Sequence, residues 1–305
     1  MGLIEVSGLT KSYGAKQVLR GIDLSVAEGE IVGVLGPNGA GKTTAVECIG
    51  GLRRRDGGTI TVAGADPATE PPGLRRLVGM QLQQCRLPAK ITTAEALDLF
   101  ASFYPDPVAT TELLERFGLA DQARTRFEKL SGGQQQRLSV ALALVGRPRI
   151  AILDELTTGL DPAARRDIWA YLQDLKTART TMLLVTHSME EAQFLCDHVV
   201  IIDRGVIVAQ GTPDELAAAT VEQQTSFDAD LAGPPSAEEL IGLLRALPGV
   251  VTVRSADGRI VVDGDADSPQ TILTALMDVG VRPSRLRVIQ PTLDEAYLRL
   301  TQENR

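Results

Sequence analysis

The 305-residue chain has little of what builds disulfide-rich, zinc-binding, nucleic-acid-binding or membrane-spanning proteins. Its three cysteines have no C-x-x-C spacing, which argues against a zinc site and against a disulfide framework. Acidic residues outnumber basic ones by 39 to 31, and the formal net charge of −8 argues against nucleic acid as a partner. No apolar run reaches the ~18 residues that a membrane-spanning helix needs, and residues 1–5 lack the basic start of a signal peptide. We therefore expect a cytoplasmic protein.

A glycine-rich segment is the most informative feature that the sequence does contain. Residues 36–44 match the pattern G-x-x-x-x-G-K-[ST] directly after an apolar run at 31–35. Glycines in this pattern let successive backbone N–H groups converge on phosphate oxygens, and the helix that follows adds its positive end. We expect Lys42 to contact the β- and γ-phosphates, Thr43 to bind Mg²⁺ and Thr44 to contact the α-phosphate. The predicted site residues of this phosphate loop are Gly36, Pro37, Asn38, Gly39, Ala40, Gly41, Lys42, Thr43 and Thr44.

An acidic pair closes a second apolar run, at residues 150–155. Side chains at neighbouring strand positions diverge, so Asp154 and Glu155 can have separate roles. We expect Asp154 to hold Mg²⁺ through water and Glu155 to polarise the water that attacks the nucleotide. Taken alone, an acidic pair at a strand end is as often a solvated terminus, but together with the phosphate loop it predicts an ATPase site.

A second glycine-rich segment, Leu-Ser-Gly-Gly-Gln at residues 130–134, begins a helical pattern. Ser131 stands at the N-cap position and Gln134 at the third helical position, which together predict a capping box. Gly132 and Gly133 place no side chain over the start of this helix, and a bare, positive helix end binds phosphate. The sequence therefore contains two predicted phosphate-binding helix starts.

With these motifs in this order, residues 1–219 resemble the ATP-binding cassette (ABC) ATPases. In that family 36–44 corresponds to the Walker A motif and 130–134 to the signature, and two cassettes pair head to tail because the two motifs of one cassette face outward. The resemblance implies that each ATP, with Mg²⁺, lies between Lys42 of one copy and Ser131 of a second. It also implies integral membrane permease subunits as partners.

Further site residues follow from the family pattern. Tyr13 resembles the aromatic residue that stacks on adenine, although a tyrosine that only packs at a strand end is the alternative. Gln83 closes an expected strand and matches the glutamine that senses Mg²⁺ and the attacking water. Gln81 and Gln84 are neighbours that complicate the register, and Gln83 is preferred because it lies four residues after Gly79.

The resemblance assigns two more residues and shows one departure. His187 ends an apolar run and matches the switch histidine that contacts the γ-phosphate, whereas His198 is expected to be structural. Residues 158–161 resemble the loop that crosses the dimer interface, in which Asp161 couples the two sites. Leu156 stands where the family usually has proline after the catalytic glutamate, and this change removes a fixed φ from the loop.

The expected fold is α/β: a P-loop NTPase with the ABC antiparallel β-subdomain and an α-helical signature subdomain at about 85–147. A linker is expected at 220–224. The order βαββαβ with a last helix in 225–305 predicts a small α+β domain that is ferredoxin-like. This part resembles the C-terminal domain of ABC ATPases that drive drug and antibiotic exporters, and it suggests a regulatory or dimer-supporting role.

The favoured function is an energy-coupling ATPase subunit, peripheral on the inner face of the plasma membrane, with residues 83–103 as the candidate docking surface for the membrane partner. A helical subdomain that only packs on the core is the alternative for that segment. Alternatives for the whole protein are a non-transport ABC ATPase associated with ribosomes or DNA, an importer ATPase, or a regulatory binding module with little turnover.

Overall fold

The computed structural model describes residues 2–69, 73–81, 86–220, 223–229, 235–256, 259–265, 267–289 and 292–302. The chain divides into two compact units, Met1–Thr212 and Pro213–Arg305. Within these residues no helix has both the length and the apolar character needed to cross a bilayer.

The bounds of the regular elements are as follows. The strands, in chain order, are β1 (Ile4–Tyr13), β2 (Lys16–Val26), β3 (Ile31–Leu35), β4 (Gly57–Val62), β5 (Val78–Gln81), β6 (Ile150–Asp154), β7 (Thr181–Val185), β8 (His198–Asp203), β9 (Val206–Gly211), β10 (Gln223–Ala229), β11 (Val250–Ala256), β12 (Arg259–Gly264) and β13 (Pro283–Ile289). The α-helices are α1 (Lys42–Ile49), α2 (Leu74–Leu77), α3 (Thr93–Ala101), α4 (Thr110–Arg116), α5 (Gly132–Leu144), α6 (Pro162–Thr177), α7 (Met189–Leu195), α8 (Pro213–Thr220), α9 (Ala237–Arg245), α10 (Ser268–Asp278) and α11 (Leu293–Gln302).

The centre of the first unit is a six-stranded sheet in the order β5-β6-β7-β3-β8-β9. All neighbouring pairs from β5 to β8 are parallel, and only β9 is antiparallel to its neighbour. Every residue of β3, β6 and β7 is buried, as expected of continuous apolar runs in a parallel sheet that is covered on both faces. Because these three strands are adjacent, the loops at their carboxyl ends meet at one edge, where ligands bind in open α/β sheets.

An antiparallel sheet in the order β2-β1-β4 covers this core and confirms the expected β-subdomain. Apolar side chains of its strands, such as Ile4 and Leu19, join one buried cluster with Val34 of β3 and Val46 of α1. The region expected to be helical contains α3, α4 and α5. The P-loop α/β fold with its two subdomains is therefore as the sequence predicts.

The second unit contains a four-stranded antiparallel sheet in the order β11-β12-β10-β13. This is the strand order of a ferredoxin-like sheet, in which the first strand lies between the third and the fourth. Its core is built around Phe227, with Leu240 and Leu244 of α9 and Ile272 and Leu276 of α10.

The unit boundary differs from the sequence expectation. Helix α8 belongs to the second unit, where it contacts α11, although residues 213–219 are expected in the ATPase domain. Leu216 and Ala217 of α8 are buried. Gln223 and Gln224, expected in a linker, are the first residues of β10.

Candidate active site

The phosphate loop connects β3 to α1 and is held in a conformation that only glycine adopts easily. Gly36, Gly39 and Gly41 all have positive φ, and a Cβ added at Gly36 would lie 2.0 Å from the carbonyl oxygen of Ile202. Lys42 is almost fully buried, and its Nζ donates to the carbonyl oxygens of Gly36 at 2.7 Å and Pro37 at 3.1 Å. Burial lowers the pKa of Lys42. The ammonium group is thus held inside the loop, where an anionic ligand would compensate for its lost hydration.

The first turn of α1 is not capped by a side chain. Its N-cap residue is Gly41, which has left-handed backbone and makes no side-chain cap hydrogen bond. The first backbone N–H groups of a helix lack partners within the helix, so an uncapped start presents them to a ligand. Together with the positive end of the helix dipole, this geometry suits phosphate.

Thr43 and Asp154 bring two oxygen ligands together beside the loop. The hydroxyl of Thr43 donates to Oδ2 of Asp154 at 3.2 Å. Asp154 ends β6 and is fully buried, and its own N–H donates to Oε1 of Gln81 at 3.0 Å. Burial raises the pKa of Asp154 to about 6. A hydroxyl and a buried carboxylate are hard oxygen donors, and Mg²⁺ at nucleotide sites uses one or two such groups with phosphate oxygens, so these residues fit that cation.

Glu155 and His187 lie at the ends of the adjacent strands β6 and β7. Oε1 of Glu155 lies 3.4 Å from Nδ1 of His187. Glu155 has left-handed backbone with φ of 53°, and its N–H donates to the carbonyl oxygen of Val185 at 2.8 Å. Nε2 of Gln136 on α5 donates to the carbonyl oxygen of Glu155, also at 2.8 Å. The backbone N–H and the carbonyl oxygen of Glu155 are therefore both held by hydrogen bonds, which fixes the backbone from which the carboxylate extends.

A cavity of about 370 Å³ opens beside these groups. Tyr13 lines this cavity with a half-exposed ring and is the last residue of β1, and its role toward adenine stays a prediction. The cations of Lys11 and Arg53 lie 5.8 and 5.2 Å from the ring centroid. The lining residues are Tyr13, Lys16, Val18, Asn38, Gly39, Gly41, Lys42, Thr43, Thr44, Asp154 and Glu155.

The signature segment forms a separate surface and does not line this cavity. Ser131 and Gln134 make the predicted capping box: Ser131 Oγ accepts from Gln134 N–H, and Gln134 Oε1 accepts from Ser131 N–H. A Cβ added at Gly133 would lie 3.1 Å from the carbonyl oxygen of Gly159, whereas one added at Gly132 would meet nothing within 4 Å. The loop that ends at Asp161 therefore contacts the signature helix.

The roles of the remaining predicted residues stay predictions, and the structure gives the surroundings of two of them. Asp161 is the N-cap of α6, where its Oδ1 accepts from the N–H groups of Ala163 and Ala164 at 3.0 Å. Gln83 lies outside the described residues. His198 pairs with the carboxylate of Glu30 and lies outside the cavity, as expected of a structural histidine.

The sequence did not identify the residues whose hydrogen bonds hold the backbone around the acidic pair. Gln81 and Gln136 hold the backbone of the acidic pair, and neither is marked by a motif of its own. Leu156 is fully buried, and the next residue, Thr157, donates through its hydroxyl to Oε1 of Glu191 at 2.8 Å. A buried side-chain contact thus anchors the loop that lacks the usual proline.

Comparison with known proteins points to one family. The family model described as ABC transporter matches residues 19–158. The daunorubicin resistance ATP-binding protein DrrA3 of Streptomyces coeruleorubidus is 36% identical over 99% of this chain and 96% of its own length. The linearmycin resistance ATP-binding protein LnrL of Bacillus subtilis is 31% identical over 98% of each chain.

A solved structure gives the same answer for the fold. It is a dimeric ATP-binding cassette in a post-hydrolysis state with ADP and Pi, 27% identical, with a TM-score of 0.64 over 68% of this chain and 98% of that one. Its fold matches the unit that carries the phosphate loop, the acidic pair and the signature helix. With relatives that match along nearly their whole length, the chain belongs to the ABC transporter family, as an ATP-binding and ATP-hydrolysing protein.

Proposed function

We propose that this protein powers the export of drugs, antibiotics or other lipophilic compounds through separate integral membrane permease subunits, at the inner face of the plasma membrane. The observation that carries the proposal is the meeting of Lys42, Thr43, Asp154, Glu155 and His187 at one edge of the sheet. The cargo class is supported by the relatives, which are named for resistance to daunorubicin and to linearmycin.

The phosphate loop binds the triphosphate of ATP. Lys42 exchanges the carbonyl oxygens of Gly36 and Pro37 for phosphate oxygens, which removes the electrostatic cost of its burial. The uncapped N–H groups at the start of α1 contact the same phosphates. Tyr13, at the rim of the cavity, stacks on the base.

Thr43 and Asp154 would hold Mg²⁺, Thr43 through its hydroxyl and Asp154 through water. When bound, Mg²⁺ would neutralise phosphate charge. A bound cation also favours the ionised form of the buried Asp154, whose pKa burial raises. The family pattern assigns Gln83 to the same site, where it would sense Mg²⁺ and the attacking water.

Glu155 is the general base. It takes the proton of the attacking water on its carboxylate, which the left-handed backbone at residue 155 turns toward the cavity. His187 lies next to that carboxylate and contacts the γ-phosphate. Gln136 fixes the carbonyl of residue 155, so the base is held from the signature helix of its own chain.

The site is completed by a second copy of the chain. Ser131, Gly132, Gly133 and Gln134 do not line the cavity of their own chain, so their helix start is free to receive the ATP of a partner copy. Two copies therefore pair head to tail with two ATP molecules between them, and the contact of Asp161's loop with the signature helix couples the sites. Residues 225–305 form an accessory domain that supports this pairing or regulates it.

The dimer is tested with Glu155→Gln, which keeps the shape of the base and removes its basicity. Hydrolysis should fall at least about 100-fold while ATP binding persists. Light scattering should then show a dimer with MgATP and a monomer without nucleotide. The matched control is the double variant Glu155→Gln/Ser131→Arg, which should bind ATP and stay monomeric. A nucleotide-loaded variant that remains monomeric without the Ser131 change would contradict the shared site.

The direction of transport is tested by co-expressing this protein with a membrane permease subunit that copurifies with it. Co-expression should lower the accumulation of a fluorescent anthracycline in sensitive cells, and the Glu155→Gln variant should not. Increased accumulation would indicate an importer. Copurification with ribosomes, and not with a membrane protein, would indicate the non-transport alternative.

A further inference from the structure

Helix α7 contains a glutamate that the mechanism above does not use. Glu191 is fully buried, and one oxygen of its carboxylate, Oε1, accepts two hydrogen bonds. Thr157 donates through its hydroxyl at 2.8 Å, and Trp169 donates through its indole N–H at 3.0 Å. Three segments of the chain meet at this oxygen: the loop that follows the catalytic base, helix α6 and helix α7.

The local sequence predicts a different role for this side chain. Ser188-Met189-Glu190-Glu191 has the S-x-x-E pattern of a capping box, in which the glutamate accepts from the backbone N–H of the cap residue. Here Ser188 Oγ does accept from Glu191 N–H at 3.2 Å, but Ser188 N–H donates to the hydroxyl of Thr186 at 3.0 Å. The second half of the box is missing because the carboxylate is turned into the protein.

Four other helices with this pattern do close the box. In each of them the side chain at the third position accepts from the backbone N–H of the cap residue. The pairs are Thr92 with Glu95, Ser131 with Gln134, Ser236 with Glu239 and Thr292 with Glu295. The inward orientation of Glu191 is therefore not a property of the pattern, and the contacts made inside must favour it.

Helix stability alone does not explain that orientation. A capping box would leave the carboxylate in water, whereas burial costs hydration free energy that hydrogen bonds must offset. Oε2 of Glu191 has no hydrogen-bond partner among the described residues, so the compensation is incomplete. A buried, half-satisfied carboxylate is costly for folding, so its presence calls for an explanation other than stability.

The contacts lead directly to the two catalytic side chains. Thr157 follows Glu155 by two residues, and Ser188, the cap of the helix that carries Glu191, follows His187. Oε1 of Glu155 and Nδ1 of His187 lie 3.4 Å apart. Each of these residues lies just after the end of a strand, Glu155 after β6 and His187 after β7. The hydrogen bond from Thr157 to Glu191 joins the segment that follows Glu155 to the helix that follows His187.

We propose that Glu191 is a positioning residue, whose buried carboxylate holds the loop after Glu155 and the helix after His187 in register for hydrolysis. Through Trp169 it also ties in α6, the helix that Asp161 caps. This inference rests on the proposed roles of Glu155 and His187. In this proposal Glu191 contacts neither the nucleotide nor the attacking water, but it determines the positions of Glu155 and His187, which do.

The test compares three variants of the full-length chain by steady-state kinetics with MgATP. Glu191→Ala should lower kcat at least about tenfold and leave KM within about twofold, because misplaced catalytic groups affect the chemical step more than binding. Glu191→Gln retains Oε1 as an acceptor and should restore most of kcat. Glu190→Ala is the matched control on the same helix, since Glu190 is exposed and pairs with Arg165 at the surface. Its kcat should equal that of the wild type.

A double-mutant comparison separates positioning from general support of the fold. If Glu191 acts through His187, Glu191→Ala should lower kcat much less in a His187→Ala background than in the wild type. Equal fold losses in both backgrounds, or a kcat of Glu191→Ala within twofold of the wild type, would overturn the proposal. So would a loss that follows the unfolded fraction measured by circular dichroism and that Glu191→Gln fails to restore. Absence of hydrolysis in the wild type and in Glu190→Ala would instead overturn the proposed function.

Discussion

The two glycine-rich helix starts of the first unit differ in how their backbone N–H groups are satisfied. Helix α1 begins at Gly41 with no side-chain cap, and a buried lysine stands next to it. Helix α5 begins with a complete capping box from Ser131 and Gln134 and has no charged residue in its first turn. The uncapped start of α1 would be stabilised by a bound anion, whereas the start of α5 is capped by its own side chains without one. This difference suits a site in which one half binds nucleotide alone and the other half joins later.

The largest expected effect is the loss of the cation at α1. Lys42→Ala should weaken ATP binding at least about 100-fold, because it removes the cation that exchanges the loop carbonyl oxygens for phosphate oxygens. Isothermal titration calorimetry with MgATP measures this effect. Lys42→Arg serves as the control for charge alone, and it should bind weakly as well, since a planar guanidinium group does not reproduce the contacts of a compact, buried ammonium group. Binding within threefold of the wild type would mean that α1 does not hold the phosphates.

A cation placed at the start of α5 should impair hydrolysis and not ATP binding. Ser131→Arg should leave the affinity of the monomer for ATP unchanged and lower the ATPase rate at least about 100-fold, because the bulk of arginine blocks the partner's nucleotide. Nucleotide binding and phosphate release are measured on the same preparation. If both quantities fell together, the two helix starts would belong to one site in one chain.

The two glycines of the signature sharpen the comparison further. At Gly132 a Cβ meets nothing within 4 Å, so Gly132→Ala should raise Tm by about 2 °C through better helix propensity. It should still lower hydrolysis if the start of α5 receives the partner's phosphate as proposed, since the added methyl group would lie at that helix start. Gly133→Ala should gain no stability, because its Cβ would press on the carbonyl oxygen of Gly159. Full activity of Gly132→Ala would show that this helix start does not approach a nucleotide.

The smallest effect concerns the cap of α5 itself. Ser131→Ala should destabilise the first unit by about 1 kcal/mol, the usual cost of losing a serine N-cap. Ser236→Ala removes the corresponding cap of α9 in the second unit and should cost about the same. Chemical denaturation gives both values, and only the first variant should lower the ATPase rate. An equal loss of activity in both would mean that the rate follows stability and not the signature.

Much of this architecture is readable from the sequence because its signals are local. The phosphate loop, the acidic pair and the capping boxes each lie within a few consecutive residues, and the apolar runs before them become the buried strands β3 and β6. Glycines 36, 39 and 41 adopt the positive φ that the loop requires. The roles assigned to these side chains remain predictions that the variants above address.

The features that the sequence did not reveal depend on contacts between distant segments. Residues 188–191 read as a capping box, and only the positions of Thr157 and Trp169 show why the box stays open. In the sequence, Gln136 is a polar residue of a helix with no assigned role, and only the structure shows that it donates to the carbonyl oxygen of Glu155. The start of the second unit is a similar case, because α8 contacts α11, which lies far along the chain.

The left-handed backbone at residue 155 places two demands on one position. For any side chain other than glycine this conformation costs roughly 1–2 kcal/mol, so folding alone would favour glycine there. Hydrolysis instead requires an acid. A library of all substitutions at this codon, sorted first for cellular abundance and then for turnover, should therefore rank glycine near the top of one sort and at the bottom of the other.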